Sequence, residues 1–228
     1  MSQSTLSNKY PKLSVTVDVV IFTLLENDLK VLLIKRKVAP YSNRWAIPGG
    51  FVGIDEPLES AAQRVLNDKT GVHDVYLEQL FTFGEPKRDP RGRVITVTYF
   101  ALLPAQLAPE AAERSPEAQW WSMYELPSLA FDHAEILDYA LTRLRYKLEY
   151  TAVGFQLLPD VFTLSELQQT YEIVLGVELD KRNFRRKIHE AKVIETTGQY
   201  RGGEGRPAML YRYRDDAVAE TRARRLFP

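Results

Sequence analysis

Cysteine is absent from the 228 residues, which excludes a disulfide framework, a thiolate nucleophile and any cysteine-based zinc site. No apolar run approaches the ~18 residues of a transmembrane span, and residues 1–13 lack the apolar core of a signal peptide. A cytoplasmic protein with no membrane partner is therefore expected. Net charge is missing as well, since 30 Lys and Arg balance 30 Asp and Glu. No internal repeat or low-complexity tract is visible. What remains is an ordinary globular composition, 45% hydrophobic and 26% charged, in a chain long enough for two modest domains.

The charge balance hides a division. Residues 1–150 carry a net of −2 and residues 151–228 a net of +2, and between Lys181 and Arg214 ten Lys and Arg face only Glu190, Glu195 and Glu204. A short basic block inside a neutral protein is the electrostatic footprint of an anionic partner. A solvated charged face, the plainer reading, usually carries both signs.

Hydrophobic periodicity divides the chain at the same place. Val15, Val17, Val19 and Ile21 alternate with Thr16, Asp18 and Val20, a turn follows at 26–28, and Leu29 to Ile34 returns, predicting an antiparallel hairpin in a half-buried sheet. Residues 41–48 read as a loop and Gly49-Gly50 as a flexible turn. A helix is predicted over 57–70, with Pro57 in its first turn, Leu58, Ala61, Ala62, Val65 and Leu66 as its apolar stripe, and Gly71 as its stop. Further strands are predicted at 75–83, 94–103 and 119–123, and a helix over 133–150, giving an α/β sandwich. Beyond 150 the pattern changes. Thr163-Leu-Ser-Glu166 is a capping box, Asp180 can cap a second helix over 181–191, and two strands flank a glycine-rich loop at 201–207. Helix, turn, helix and hairpin is the plan of a winged helix-turn-helix.

On a wheel, Phe184, Ile188 and Ala191 form one side of the 181–191 helix; Arg182, Arg186 and His189 lie opposite, with Asn183, Arg185 and Lys187 on the flanks. Such a helix suits the major groove, where Arg pairs with guanine and Asn with adenine while other cations hold phosphates. Lys181, Arg182, Asn183, Arg185, Arg186 and Lys187, with Arg201 and Arg206 of the wing, are the candidate contacts to double-stranded DNA. The alternative is a winged helix used for protein contact.

The most specific motif is Gly50-(five residues)-Glu56-(seven residues)-Arg64-Val-Leu-Asn-Asp-Lys-Thr-Gly71-Val72. It resembles the Nudix box, G-x5-E-x7-R-E-U-x-E-E-x-G-U, in every spacing, but the three acidic positions after the arginine read Val65, Asp68 and Lys69. Those positions are related by i+3 and i+4, so three glutamates there would share one helix face and could hold a hard divalent cation for attack on a diphosphate. Val65 has no oxygen to offer, Asp68 keeps one carboxylate, and Lys69 places an ammonium where a metal ligand is asked for. Glu56, Glu59 and Asp68 are the carboxylates left that could hold a metal, and Glu56 with Arg64 can form an ion pair that sets the loop on the helix. The expectation is a retained fold with a disabled reaction: no catalytic residue, no metal ligand and no required cofactor. An active Nudix pyrophosphohydrolase acting on ADP-ribose or a related nucleoside diphosphate derivative is the rival.

A pocket can outlast its chemistry. Lys35, Arg36 and Arg44 lie on or just after the second strand, Gly49, Gly50 and Lys69 lie on the motif, and residues 86–93 form a basic loop, with Arg88, Arg91 and Arg93, bordered by Phe81 and Phe83. Guanidinium groups suit a diphosphate and an aromatic face suits a base or ribose; plain solvent-facing charge is the alternative for each. Both halves together resemble the Nudix-related transcriptional regulators of the NrtR family, which control NAD metabolism genes in bacteria. That resemblance implies a ligand-sensing domain over 1–150, a DNA-binding domain over 151–228, and a homodimeric repressor on palindromic operators. It also implies an effector, ADP-ribose or a related NAD-derived nucleotide.

Overall fold

The structure, a computed structural model, describes residues 12–71, 75–113, 115–150, 152–202, 207–214 and 216–217. Val72, Arg206 and most of the N-terminal stretch read for a signal peptide lie outside these residues.

The first part is built on a seven-stranded sheet. Strands β1 (Ser14–Leu25) and β2 (Asp28–Lys35) form the expected hairpin, and β3 (Trp45–Ala46), β4 (Gly49–Phe51), β5 (Tyr76–Phe83), β6 (Val94–Leu102) and β7 (Ala118–Ser122) complete it. The order is β3-β2-β1-β6-β5, with β4 also paired to β1 and β7 to β2. Only β1 and β6 of the named strands run parallel, from Ser14 opposite Val94 to Phe22 opposite Leu102. Helices α1 (Leu58–Thr70) and α2 (Ala108–Glu113) lie on one face and α3 (His133–Tyr150) on the other.

That layering corrects the half-buried sheet. Alternate residues of β1 point to opposite faces, and both faces are covered. Val17, Val19 and Ile21 pack against Ala61, Ala62, Val65 and Leu66 of α1, while Val20 and Phe22 pack against Ile136, Leu137, Ala140 and Leu144 of α3. Thr16 and Asp18, read as the polar face, are buried too. Helix α1 begins after Pro57, which stands at the N-cap, and ends at Gly71 with φ 70°, a left-handed position that glycine takes without steric cost.

The second part holds β8 (Phe162–Thr163), α4 (Leu164–Leu175), α5 (Lys181–Ala191), β9 (Ile194–Arg201) and β10 (Ala208–Tyr213), with sheet order β8-β10-β9. The capping box forms as expected: Glu166 N–H donates to Thr163 Oγ1 at 3.2 Å, and Thr163 N–H donates to Glu166 Oε2 at 2.7 Å. Asp180 caps α5 by accepting from Asn183 N–H at 2.7 Å. Strand β8 and the 3-10 helix Ala152–Leu157 were not foreseen.

The two parts share one core. A continuous apolar cluster runs from Val20 and Phe22 through Leu144 and Leu148 of α3, across Val153 and Phe155, to Leu167 and Tyr171 of α4 and to Phe184 and Ile188 of α5. Each such side chain contributes ~1.5–3 kcal/mol when fully buried. Packing at the join is close enough to require Gly154, where a Cβ would stand 2.5 Å from Leu148 Cδ2 and 3.1 Å from the Tyr171 ring. Three hydrogen bonds reinforce it. Tyr124 Oη donates to the Ile173 carbonyl at 2.7 Å, Arg145 Nε to the Val174 carbonyl at 2.9 Å, and Gln169 Nε2 to Asn27 Oδ1 at 2.9 Å. The first two satisfy last-turn carbonyls of α4 that have no partner within the helix.

Candidate functional site

The motif loop is held by one ion pair. Arg64 donates from Nε to Glu56 Oε1 at 2.7 Å and from Nη2 to Oε2 at 2.8 Å, and again to the Phe51 carbonyl at 3.1 Å. Gly53 N–H donates to Glu56 Oε2 at 2.9 Å. These donors, Arg64 first and then Gly53, pull the Glu56 carboxyl down to about 2, because a carboxylate that accepts several hydrogen bonds is favoured in its charged form. Val65 is 3% exposed, in the apolar stripe, and its Cγ2 would stand 3.2 Å from a Cβ on Gly50. Asp68 is exposed, and Lys69 is partly so.

Gly49 and Gly50 belong to β4, not to a flexible turn. Gly49 pairs with Asp18 across the β1–β4 ladder, and a Cβ there would stand 2.0 Å from Asp18 Oδ1 and 3.0 Å from the Val17 carbonyl oxygen. Glycine is needed here for close approach to a buried carboxylate.

Beside this strand is a cleft of about 170 Å3 whose walls include Asp18, Arg36, Gly49, Gly50, Phe51, Arg88, Asp89, Arg91, Phe131 and His133. Its floor is a buried charge network. Arg88, 9% exposed, makes a two-pronged pair with Asp132, Nε to Oδ2 and Nη2 to Oδ1, both at 2.8 Å, and lies 3.8 Å from Asp18 Oδ2. Asp18 accepts from Thr96 Oγ1 at 2.7 Å. His133 Nδ1 accepts from Ile47 N–H at 2.9 Å, which puts the proton of the neutral ring on Nε2, and burial lowers its pKa.

The mouth is cationic and aromatic. Arg91 is anchored on Asp89, with Nη2 2.7 Å from Oδ2, and its guanidinium lies 5.6 Å from the Phe51 ring centre and 5.5 Å from that of Phe131. Arg36 lies 4.8 Å from the Phe131 centre and is held by donation to the Pro40 carbonyl at 2.9 Å. A second concavity of about 280 Å3, which includes Lys35, Arg36, Lys37, Pro48, Gly49, Lys69 and Glu117 in its walls, adjoins the first.

Of the residues singled out in sequence, Arg36, Gly49, Gly50, Arg88 and Arg91 line the cleft, while Lys35 and Lys69 join Arg36 and Gly49 around the second concavity. Arg44, Phe83 and Arg93 line neither. Arg44 Nη1 donates to Ser128 Oγ at 3.0 Å. Phe83 is buried in the core against Phe81 and Tyr139, and Arg93 Nη1 donates to the Gly84 carbonyl. Sequence reasoning missed Asp18, Asp89, Phe131, Asp132 and His133. A lone carboxylate in a valine strand and the run Phe131-Asp132-His133 at a helix start were the signals available.

On α5, Phe184 and Ile188 are buried, and Lys181, Arg182, Asn183 and Arg186 are exposed on its free side. Arg186 Nη2 donates to Asn183 Oδ1 at 2.7 Å and Nη1 to Glu190 Oε1 at 3.1 Å. Lys187 is partly exposed, and Arg185 is half-buried beside Met209 and Tyr211. Arg201 pairs with Glu166 and donates to the Val161 carbonyl at 3.3 Å, so its guanidinium pins the wing to the start of α4.

A nucleotide-hydrolase type of sandwich bearing a cationic, aromatic cleft, fused through its core to a winged helix with a basic outer helix, defines a ligand-binding domain coupled to a nucleic-acid-binding module. The NUDIX domain family matches residues 15–141, and the NrtR DNA-binding winged helix domain matches residues 154–213. The chain belongs to the NrtR family of Nudix-related regulators. It is 43% identical over 208 residues to the ADPR responsive transcriptional repressor NtrR of Acinetobacter baylyi, covering 90% of this chain and 83% of that protein. It superposes on the crystal structure of Shewanella oneidensis NrtR complexed with a 27mer DNA with a TM-score of 0.84 and 39% identity, covering 93% of this chain and 99% of that one. The NUDIX domain of the Shewanella protein complexed with ADP ribose matches 63% of this chain and 99% of its own length, with a TM-score of 0.51 and 36% identity.

Proposed function

We propose that this protein is a transcriptional repressor that binds operator DNA through its winged helix and is controlled by ADP-ribose, or a related NAD-derived nucleotide, bound in its Nudix domain. The observation that carries this reading is likeness to a named ADPR responsive repressor across both parts of the chain, 90% of it. In this reading the domains divide near Tyr150, two chains pair on a palindromic operator, and the gene product acts on NAD metabolism genes in the cytoplasm.

Arg36 and Arg91, with Phe51 and Phe131, receive the ligand in the cleft. Gly49 and Gly50 form the wall of the cleft on β4, and Arg88 holds Asp132 and Asp18 in place beneath it. Lys181, Arg182, Asn183, Arg185, Arg186 and Lys187 face the DNA, where Arg186 exchanges its Asn183 and Glu190 partners for base or phosphate. Arg201 shapes the wing, and Arg206 contacts the backbone. Helix α3 is the connection between sites. His133 at its start lines the cleft, and the helix carries about 18 Å to Arg145 and about 22 Å to Leu148, which hold α4. A ligand that moves the start of α3 moves the reading head and changes the spacing of two half-sites.

The domain is read as a binder and not a catalyst. The residues present do not fit a divalent cation: Val65 is buried and lacks oxygen, both Glu56 oxygens are taken by Arg64 and Gly53, and Lys69 brings a positive charge. The hydrolase reading draws on a 38% match over 118 residues to the ADP-ribose pyrophosphatase of Methanocaldococcus jannaschii. A mobility-shift assay on the promoter beside the gene, with and without ADP-ribose, separates the two. A shifted band that ADP-ribose weakens is expected, and Arg182→Ala should cost ~1–3 kcal/mol of specific binding. No shift at any protein concentration, with release of AMP from ADP-ribose in Mg2+, would establish the enzyme instead.

A further inference from the structure

We infer that Lys35 and Lys69 together bind the diphosphate of the effector directly, in the place a divalent cation would take, so that this sensor works without metal. The inference rests on the reading of ADP-ribose as effector.

Lys37, in the wall of the second concavity, has its counter-ion in Glu117. Lys35 and Lys69, among the described residues, form no ion pair. Lys35 has only the Trp45 ring, 5.9 Å from its Nζ. Both side chains nevertheless line one concavity of about 280 Å3, with Arg36 and the Lys37–Glu117 pair on its rim. Several cations sharing a small space with one carboxylate repel one another, and the ligand that best relieves this carries two adjacent negative charges.

The position of the concavity selects the ligand further. It shares Arg36, Ala46, Ile47 and Gly49 with the aromatic cleft. A molecule with a flat or sugar end between Phe51 and Phe131 would therefore place a neighbouring diphosphate beside the two ammonium groups, with Arg36 common to both. Lys69 stands where the motif asks for a carboxylate, on the last turn of α1. A lysine there also complements the helix dipole, which is the plainer role. That role affects stability and leaves ligand affinity alone.

Isothermal titration of the full chain with ADP-ribose, in EDTA and in Mg2+, tests the inference. Equal affinity in the two buffers is expected. Lys69→Gln and Lys35→Gln should each weaken binding about ten- to hundredfold, with an unchanged unfolding midpoint in the absence of ligand. Lys69→Arg should retain most of the affinity, and adenosine, which lacks the diphosphate, should bind wild type and Lys69→Gln alike. The inference is overturned if EDTA abolishes binding to wild type, or if both glutamine variants bind ADP-ribose as wild type does. Absence of binding in either buffer would overturn the effector reading itself, and this inference with it.

Discussion

Arg88 shows how a side chain that lines the cleft can also hold its floor. Among the arginines of the 86–93 loop it looks like another guanidinium offered to phosphate, yet both prongs are spent on Asp132, with Asp18 close behind. Removing one partner of a buried ion pair costs ~3–5 kcal/mol because the other charge is stranded. Arg88→Met should therefore lower unfolding stability by about that amount in chemical denaturation, whereas Arg91→Met, at the exposed mouth, should change it little. Equal effects would mean that the buried network holds nothing in place. The partners of Arg88 illustrate the limit of sequence at this scale. Asp18 and Asp132 lie 70 and 44 positions away in the chain, and no periodicity links a strand carboxylate to a residue before a distant helix. Glu56 and Arg64, eight positions apart within one motif, were readable as a pair.

Elements with chemical punctuation were legible. The stop of α1 at Gly71, the start of α4 at Thr163 and the start of α5 after Asp180 each follow from a residue whose side chain or lack of one ends or begins a helix. Strands β3, β4 and β8, of two or three residues, were not, because alternation needs more positions to show. Gly49-Gly50 suggested freedom where the structure uses smallness. At this scale the prediction concerns α3. Arg145 Nε holds the Val174 carbonyl, so Arg145→Ala should leave ADP-ribose and operator affinities close to wild type, measured separately. The effect of each ligand on the other should shrink by ~0.5–2 kcal/mol. Linkage requires the same loss in both directions, read by titrating either ligand in the presence of the other. Undiminished coupling would move the transmission path off this helix.

At the scale of the whole molecule the two parts meet in one core. Charge and pattern both change near Tyr150, and that much the sequence displayed; it did not display that the 3-10 helix after this point buries Val153, Phe155 and Leu157 in a core common to both parts. Scanning calorimetry should therefore record one unfolding transition for the full chain, and saturating ADP-ribose at 100 times its dissociation constant should stabilise that transition by ~2.7 kcal/mol. Two resolved transitions, with ADP-ribose raising only one, would show the parts to be independent. The shared core also bears on anyone wishing to rewire such a regulator. A cut at the apparent boundary would pass between Leu148 and Tyr171, through packing that leaves no space for a Cβ on Gly154, and each half would present a raw apolar wound to water. New sensors made by transplanting this reading head onto another ligand domain will have to carry the last turns of α3 along as part of the graft.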